Sequence, residues 1–149
     1  MNKKYLLLFS FVTLLTNAIW GQSVTELLRT ANNKILFKNY KEALASLNKL
    51  VTVEKSNEIA SKVYHLRGRA YAGLKMQKDA LSDFNTAIQL DPNNVEAYNY
   101  KGIIFLEQEK PEEALVSFNT AIEKNVTYAD AFLNRSKSLF KLNRHKDAL

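Results

Sequence analysis

Apolar positions along this chain fall in helical stripes that repeat. Tyr64, Gly68 and Tyr71 stand four and three residues apart, as do Ala80, Phe84 and Ala87. That spacing sets each trio on one face of a helix and shows none of the period-two alternation of a half-buried strand. The same phases return as Tyr98, Gly102 and Phe105, then Ala114, Phe118 and Ala121, and the run Phe-Asn-Thr-Ala-Ile is identical at 84–88 and 118–122. A partial later copy offers Phe132, Ser136, Leu139 and Ala148, and a looser first copy Leu27, Ala31, Ala43, Leu47 and Leu50.

The repeat length follows from four Ala-Leu pairs, Ala43-Leu44, Ala80-Leu81, Ala114-Leu115 and Ala148-Leu149, spaced by 37, 34 and 34 residues and each preceded by Glu or Asp. Periods of this size mark stacked supersecondary units. Each copy reads as two amphipathic helices, with breaks at Leu74 to Gln77, Gln108 to Pro111 and Leu142 to His145. Pro111 suits a helix start, where its missing N–H costs nothing, and Asp91-Pro92-Asn93-Asn94 closes a pair. Gly in mid-helix costs about 1 kcal/mol against Ala. Its return at 68 and 102, with Ser136 and Ala31 in phase, therefore predicts a close approach between the two helices of each copy. The copies are expected at 24–60, 61–94, 95–128 and, incomplete, 129–149.

The first twenty-one residues have a different character. Lys3 and Lys4 precede an apolar run from Tyr5 to Leu15, followed by Thr16-Asn17-Ala18-Ile19-Trp20-Gly21. This is the layout of a secretory signal peptide, and the run is short of the about 20 apolar residues of a membrane span. Cleavage is expected after Gly21, with Ala18 second; an uncleaved anchor would be the chain's sole membrane attachment. Residues 22–149 then form the repeat domain, in a periplasmic or secreted location. The copy that begins at 129 stops one turn into its second helix. This is expected either of a fragment of a longer protein or of a natural end whose apolar stripe a partner or a second copy of the chain shields.

Composition narrows the choice of function. Four Gly and two Pro in 149 residues are too few for a turn-dense β architecture, and the absence of Cys removes disulfides and thiolate chemistry. Loss of Lys3 and Lys4 with the leader takes the net charge from +6 to +4, and Lys, Arg, Asp and Glu alternate along the helices, so no nucleic-acid-binding face is expected. His65 and His145 are 80 residues apart, and no HExxH, phosphate loop or nucleophile elbow occurs. His65 reads as an ordinary surface residue, and Glu112-Glu113 as acids favoured at a helix N-terminus. Two glycosylation sequons occur, at Asn125 and Asn134, the second inside a helix. Neither an enzyme, a cofactor, a metal site nor a small-molecule substrate is expected.

With its 34-residue period and its aromatic, Gly, aromatic, Ala, Phe, Ala, Pro order, carried almost in full by residues 61–94, the chain resembles the tetratricopeptide repeat family. Residues 95–128 keep the pattern with Val126 in place of Pro, and the resemblance weakens at 24–60, where Lys34 replaces an apolar residue. It implies an all-α, right-handed solenoid of antiparallel helix pairs, about three and a half repeats long, whose first helices line a concave groove that binds a peptide or protein. Carried onto this chain, the groove face is Lys62, His65, Leu66 and Arg69, then Glu96, Asn99, Tyr100 and Ile103, then Asp130, Leu133, Asn134 and Lys137. Asn99 and Asn134 are the first choices, because an amide both donates to and accepts from a ligand main chain. The basic clamp with which some members resembling this fold hold a terminal carboxylate is not assembled. Two functions are expected from this: a free-standing exported scaffold, or the recognition part of a larger envelope protein with an effector domain beyond Leu149.

Overall fold

A computed structural model describes residues 24–53 and 56–142. The expected leader at 1–21, its cleavage sites, His145 and the last Ala-Leu pair lie outside these residues. Within them the chain is all helical: α1 over 24–36, α2 Tyr40–Val53, α3 Asn57–Gly73, α4 Gln77–Leu90, α5 Val95–Glu107, α6 Pro111–Lys124 and α7 Ala129–Lys141. The breaks between α3 and α4 and between α5 and α6 fall where the periodicity puts them, and the one expected at Leu142 to His145 runs beyond the described residues. Pro111 opens α6 with Glu112 and Glu113 in its first turn, where they meet the positive end of the helix dipole.

Each helix packs on its neighbours in sequence. In addition, α5 touches both α3 and α7, whereas α2, α4 and α6 make no such contact with one another among the described residues. The odd-numbered helices therefore form the inner layer of a curved solenoid and the even-numbered ones the outer layer. The repeated small residues are its joints: Ala31, Ala43, Ala80, Ala114, Ala87, Ala121, Ala97 and Ala131 are all buried. Around them lie three core clusters. The first joins α1, α2 and α3 through Ile35, Leu47, Leu50 and Val63; the second places Phe84 and Ile104 between α4 and α5; the third sets Val95, Ala121 and Ala131 at the last junction. Burying a side chain such as Phe84 contributes about 2–3 kcal/mol.

The structure refines the reason for the repeated glycines. A Cβ at Gly68 would lie 2.7 to 3.1 Å from the Phe84 ring, and one at Gly102 2.5 to 2.8 Å from the Phe118 ring. The ring of the second helix, not its backbone, fills the gap. Gly73, outside the repeated phase, makes the same kind of room for the ring of Tyr40. One expected core position is corrected. Leu27 is 43% exposed, and the inward stripe of α1 is Val24, Ala31 and Ile35, with Leu28 beside it.

The turn inside each pair has a form that the residue types conceal. Lys38, Lys75 and Glu109 all have positive φ, near 60°, with no glycine at any of the three. At α3 the Met76 N–H bonds to the Tyr71 carbonyl at 2.9 Å and the Lys75 N–H to that of Ala72 at 3.0 Å; Lys110 to Phe105 and Glu109 to Leu106 repeat this after α5, and Asn39 to Lys34 and Lys38 to Ile35 after α1. These are Schellman caps, which satisfy the last carbonyls of each first helix.

Candidate functional site

The inner face is built by one phase of successive first helices, so each groove residue has a counterpart on the next. Lys62, Glu96 and Asp130 are exposed along one rim, and Lys62 pairs with Glu58 at 2.7 Å. Leu66, Arg69, Tyr100 and Ile103 are half-buried, while Leu133 and Lys137 are exposed.

Arg69 is the centre of this face. Its Nη1 donates to the Asn32 side-chain carbonyl on α1 at 2.8 Å, and its guanidinium lies over the Tyr100 ring on α5, 5.1 Å from the centroid. One side chain thus spans three consecutive inner helices. Two residues earlier Arg67 is directed elsewhere. It forms two hydrogen bonds to buried Asp83 on α4, at 2.7 and 2.8 Å, a third to Asn48 on α2, and lies over the rings of Tyr64 and Tyr71. The Asp83 bonds raise the Arg67 guanidinium further above its ordinary pKa, against the pull of burial. Arg67 is a structural tie, whereas among the described residues no carboxylate forms an ion pair with Arg69.

Two cavities flank Arg69. One, of about 590 Å³, is bordered by Leu28, Asn32, Lys62, His65, Leu66 and Glu96. The other, of about 440 Å³, has a floor of Ile35, Ala72, Ile103 and Ile104, with Lys38 and Glu107 at its edge. Tyr128 stands near the same face. Burial first, then the charges of Asp130 and Glu96, push its phenol up to about 12.

Three of the expected groove residues are not open side chains. Asn99 is 2% exposed and Asn134 8%, and the Asn134 Nδ2 donates to the Asn99 Oδ1 at 3.0 Å. The Lys137 Nζ completes the set by donating to the Asn134 Oδ1 at 3.1 Å. These amides join α5 to α7. His65 is not the ordinary surface histidine expected, being 8% exposed with its ring edge-on to Tyr100 and Phe84. Burial, then the charge of Arg69, lower its pKa to about 4, while a hydrogen bond with the Asn94 side chain opposes them.

Ser61 and Asn94 escaped the periodicity altogether. The Ser61 hydroxyl donates to the Ala87 carbonyl at 2.9 Å and accepts from the Asn94 Nδ2 at 2.9 Å, and the Asn94 Oδ1 caps α5 by accepting from the Ala97 N–H at 3.0 Å. The sole local signal was an Asn just before a helix, a favoured N-cap. One repeat later the same two phases hold Val95 and Tyr128, so the next junction is apolar where this one is hydrogen-bonded. Among the described residues no three His, Asp or Glu side chains converge as a metal site, and no described helix is long and apolar enough to cross a membrane.

Comparison with known proteins places this geometry. Tetratricopeptide repeat signatures match residues 61–94, 84–116 and 101–149. No curated protein matches the chain by sequence. Among solved structures, the first TPR of Spaghetti (RPAP3) bound to the HSP90 peptide SRMEEVD is 24% identical, with a TM-score of 0.71 over 82% of this chain and 94% of that one. The Sgt2 TPR domain from Aspergillus fumigatus is 16% identical, with a TM-score of 0.72 over 84% of this chain and 82% of that one. MamA protein is 18% identical, with a TM-score of 0.71 over 84% of this chain and 67% of that one. With all-α helix pairs stacked in this way and three matching signatures across residues 61–149, the chain belongs to the tetratricopeptide repeat family.

Proposed function

We propose that the chain is an exported scaffold that holds a peptide or protein partner along the inner face of α1, α3, α5 and α7. The observation that carries this reading is the pair of cavities, about 590 and 440 Å³, that share Arg69 as their common wall. A half-buried guanidinium with spare donors, an aromatic ring beneath it and apolar floors on either side is the mixture that orients a bound chain. The solved TPR domain holding an HSP90 peptide supports a peptide as the occupant.

The test is recovery of partners by the wild-type chain and by Arg69→Ala plus Tyr100→Ala, with helical content checked by circular dichroism. Loss of partners from a folded variant is expected, and equal recovery of every partner would overturn the groove assignment. Export rests on the residue pattern of 1–21 and is tested by locating the chain in its own cell and reading its N-terminus. A chain that retains Met1 in the cytosol would overturn it.

A second reading draws on the cavity of about 560 Å³ at the far edge of α7, lined by Leu106, Leu133, Phe140 and the stems of two lysines. Leu133 is in phase with Asn99, which the following inner helix covers. An apolar surface in that phase suits a further helix, either from a larger envelope protein of which these repeats are the recognition part or from a second copy. Light scattering of the chain, together with the reading frame after Leu149, separates these. A monomer followed by a stop codon would remove both.

A further inference from the structure

His65 occupies an unusual place for a titratable side chain: it is buried at the joint between two repeats and also borders the larger groove cavity. Its ring stands edge-on to Tyr100 of α5, centroids 5.5 Å apart, and to Phe84 of α4 at 6.3 Å, and Phe84 and Tyr100 stack on each other at 5.8 Å. Immediately beside it the Ser61, Asn94 and Ala97 hydrogen bonds fasten the start of α5 to α3 and α4.

We infer that His65 is a proton-sensitive latch between α3 and α5, and that its protonation loosens the inner face at the groove. This rests on the groove reading above and adds a mode of regulation to it. An added proton would place an imidazolium among rings, out of water, facing the Arg69 guanidinium. The charged and titratable groups around it are Arg29 on α1, Lys62 and Arg69 on α3, Asp91 in the turn before α5, and Glu96 and Tyr100 on α5. Of these, Arg69 acts on the ring in the same sense as burial, so both disfavour the charged form. Asn94 opposes them with a neutral hydrogen bond. The cheapest relief is for the ring to withdraw toward the cavity, which removes the support of Tyr100 and disturbs the Asn94 cap.

The sign follows from linkage. A histidine held at about 4 when folded and near 6.5 when unfolded takes up its proton on opening, so opening is favoured as pH falls from about 6.5 toward 4 and is unaffected above that window. The joint is therefore closed at neutral pH and loosened in acid.

Amide hydrogen exchange of the full chain at pH 7.5 and pH 4.5 tests this without any ligand, so its failure is distinct from a failure of the partner-capture experiment. In the wild type, protection at Ala97 and Tyr98 should fall at least about tenfold more than at Phe118 and Ala121 of α6, after correction for intrinsic rates. His65→Gln should abolish that difference. An even loss across α5 and α6, or the same selective loss in His65→Gln, would overturn the latch. Should His65→Gln not fold, the wild-type imidazole resonance decides: a His65 ring that titrates together with faster exchange at Ala97 upholds the proposal, and one that titrates with no such change overturns it.

Discussion

The side-chain amide of Asn134 donates to the side-chain carbonyl of Asn99 at 3.0 Å, so residues of adjacent repeats, 35 positions apart, recognise each other across the α5 to α7 joint. Both are buried, which turns the amides from receptors for a ligand's main chain into the register mark of adjacent repeats. Asn134→Ala should leave the Asn99 amide short of a partner and cost about 1–3 kcal/mol in urea unfolding. A double-mutant cycle with Asn99→Ala should give a coupling of at least about 0.5 kcal/mol. Strict additivity would show that the pair does not hold the joint.

Gly102→Ala tests the fit of ring to glycine. Alanine favours a helix by about 1 kcal/mol, yet its Cβ would meet the Phe118 ring at 2.5 to 2.8 Å, and overpacking of this kind costs about 1–3 kcal/mol. The expected outcome is a lower melting temperature, partly recovered by Phe118→Leu in the same chain. A higher melting temperature for Gly102→Ala alone would show that Phe118 moves aside freely.

The turns store a small backbone strain. Lys38 has φ of 62°, a conformation that costs an L-residue roughly 1–2 kcal/mol and glycine almost nothing. Glycine gives back about 0.5–1 kcal/mol in unfolded-state entropy, so Lys38→Gly should stabilise the chain by up to about 1 kcal/mol in denaturant titration. Lys49→Gly, in the interior of α2, should instead cost about 1 kcal/mol. If both substitutions destabilise alike, the left-handed turn carries no strain.

Arg67 and Asp83 form a pair largely out of water, with side-chain exposures of 17% and 6%. Asp83→Ala leaves the guanidinium on the Tyr64 and Tyr71 rings without its counter-ion and should cost about 3 kcal/mol. Arg67→Met with Asp83→Leu should recover most of that loss, because two apolar side chains of similar bulk carry no desolvation penalty. Calorimetric melting of the three chains checks the order. A double variant no more stable than Asp83→Ala would show that the tie gives more than charge neutralisation.

The sequence by itself determined the helices, their pairing and a close approach at Gly68 and Gly102, because each follows from a 3.6-residue period and a 34-residue repeat, quantities that are local or directly countable; that the Phe84 and Phe118 rings fill the gap was decided by the packing. The face expected to line the groove, with Lys62, Arg69, Tyr100 and Ile103, came from the family resemblance and not from the period itself. Which of those side chains stay open was a tertiary matter. His65, Asn99 and Asn134 lie on that face and yet are buried, because successive repeats bring α3 against α5 and α5 against α7, and no single repeat contains that packing. The turns at Lys38, Lys75 and Glu109 escaped for the opposite reason: their geometry is local, closed by Schellman hydrogen bonds, but no glycine marks it in the sequence. Ser61 and Asn94 belong with the joints, being 33 residues apart and 2.9 Å from bonding atom to bonding atom. Burial between repeats depends on where the neighbouring helix lies, and that position exists only in the folded solenoid.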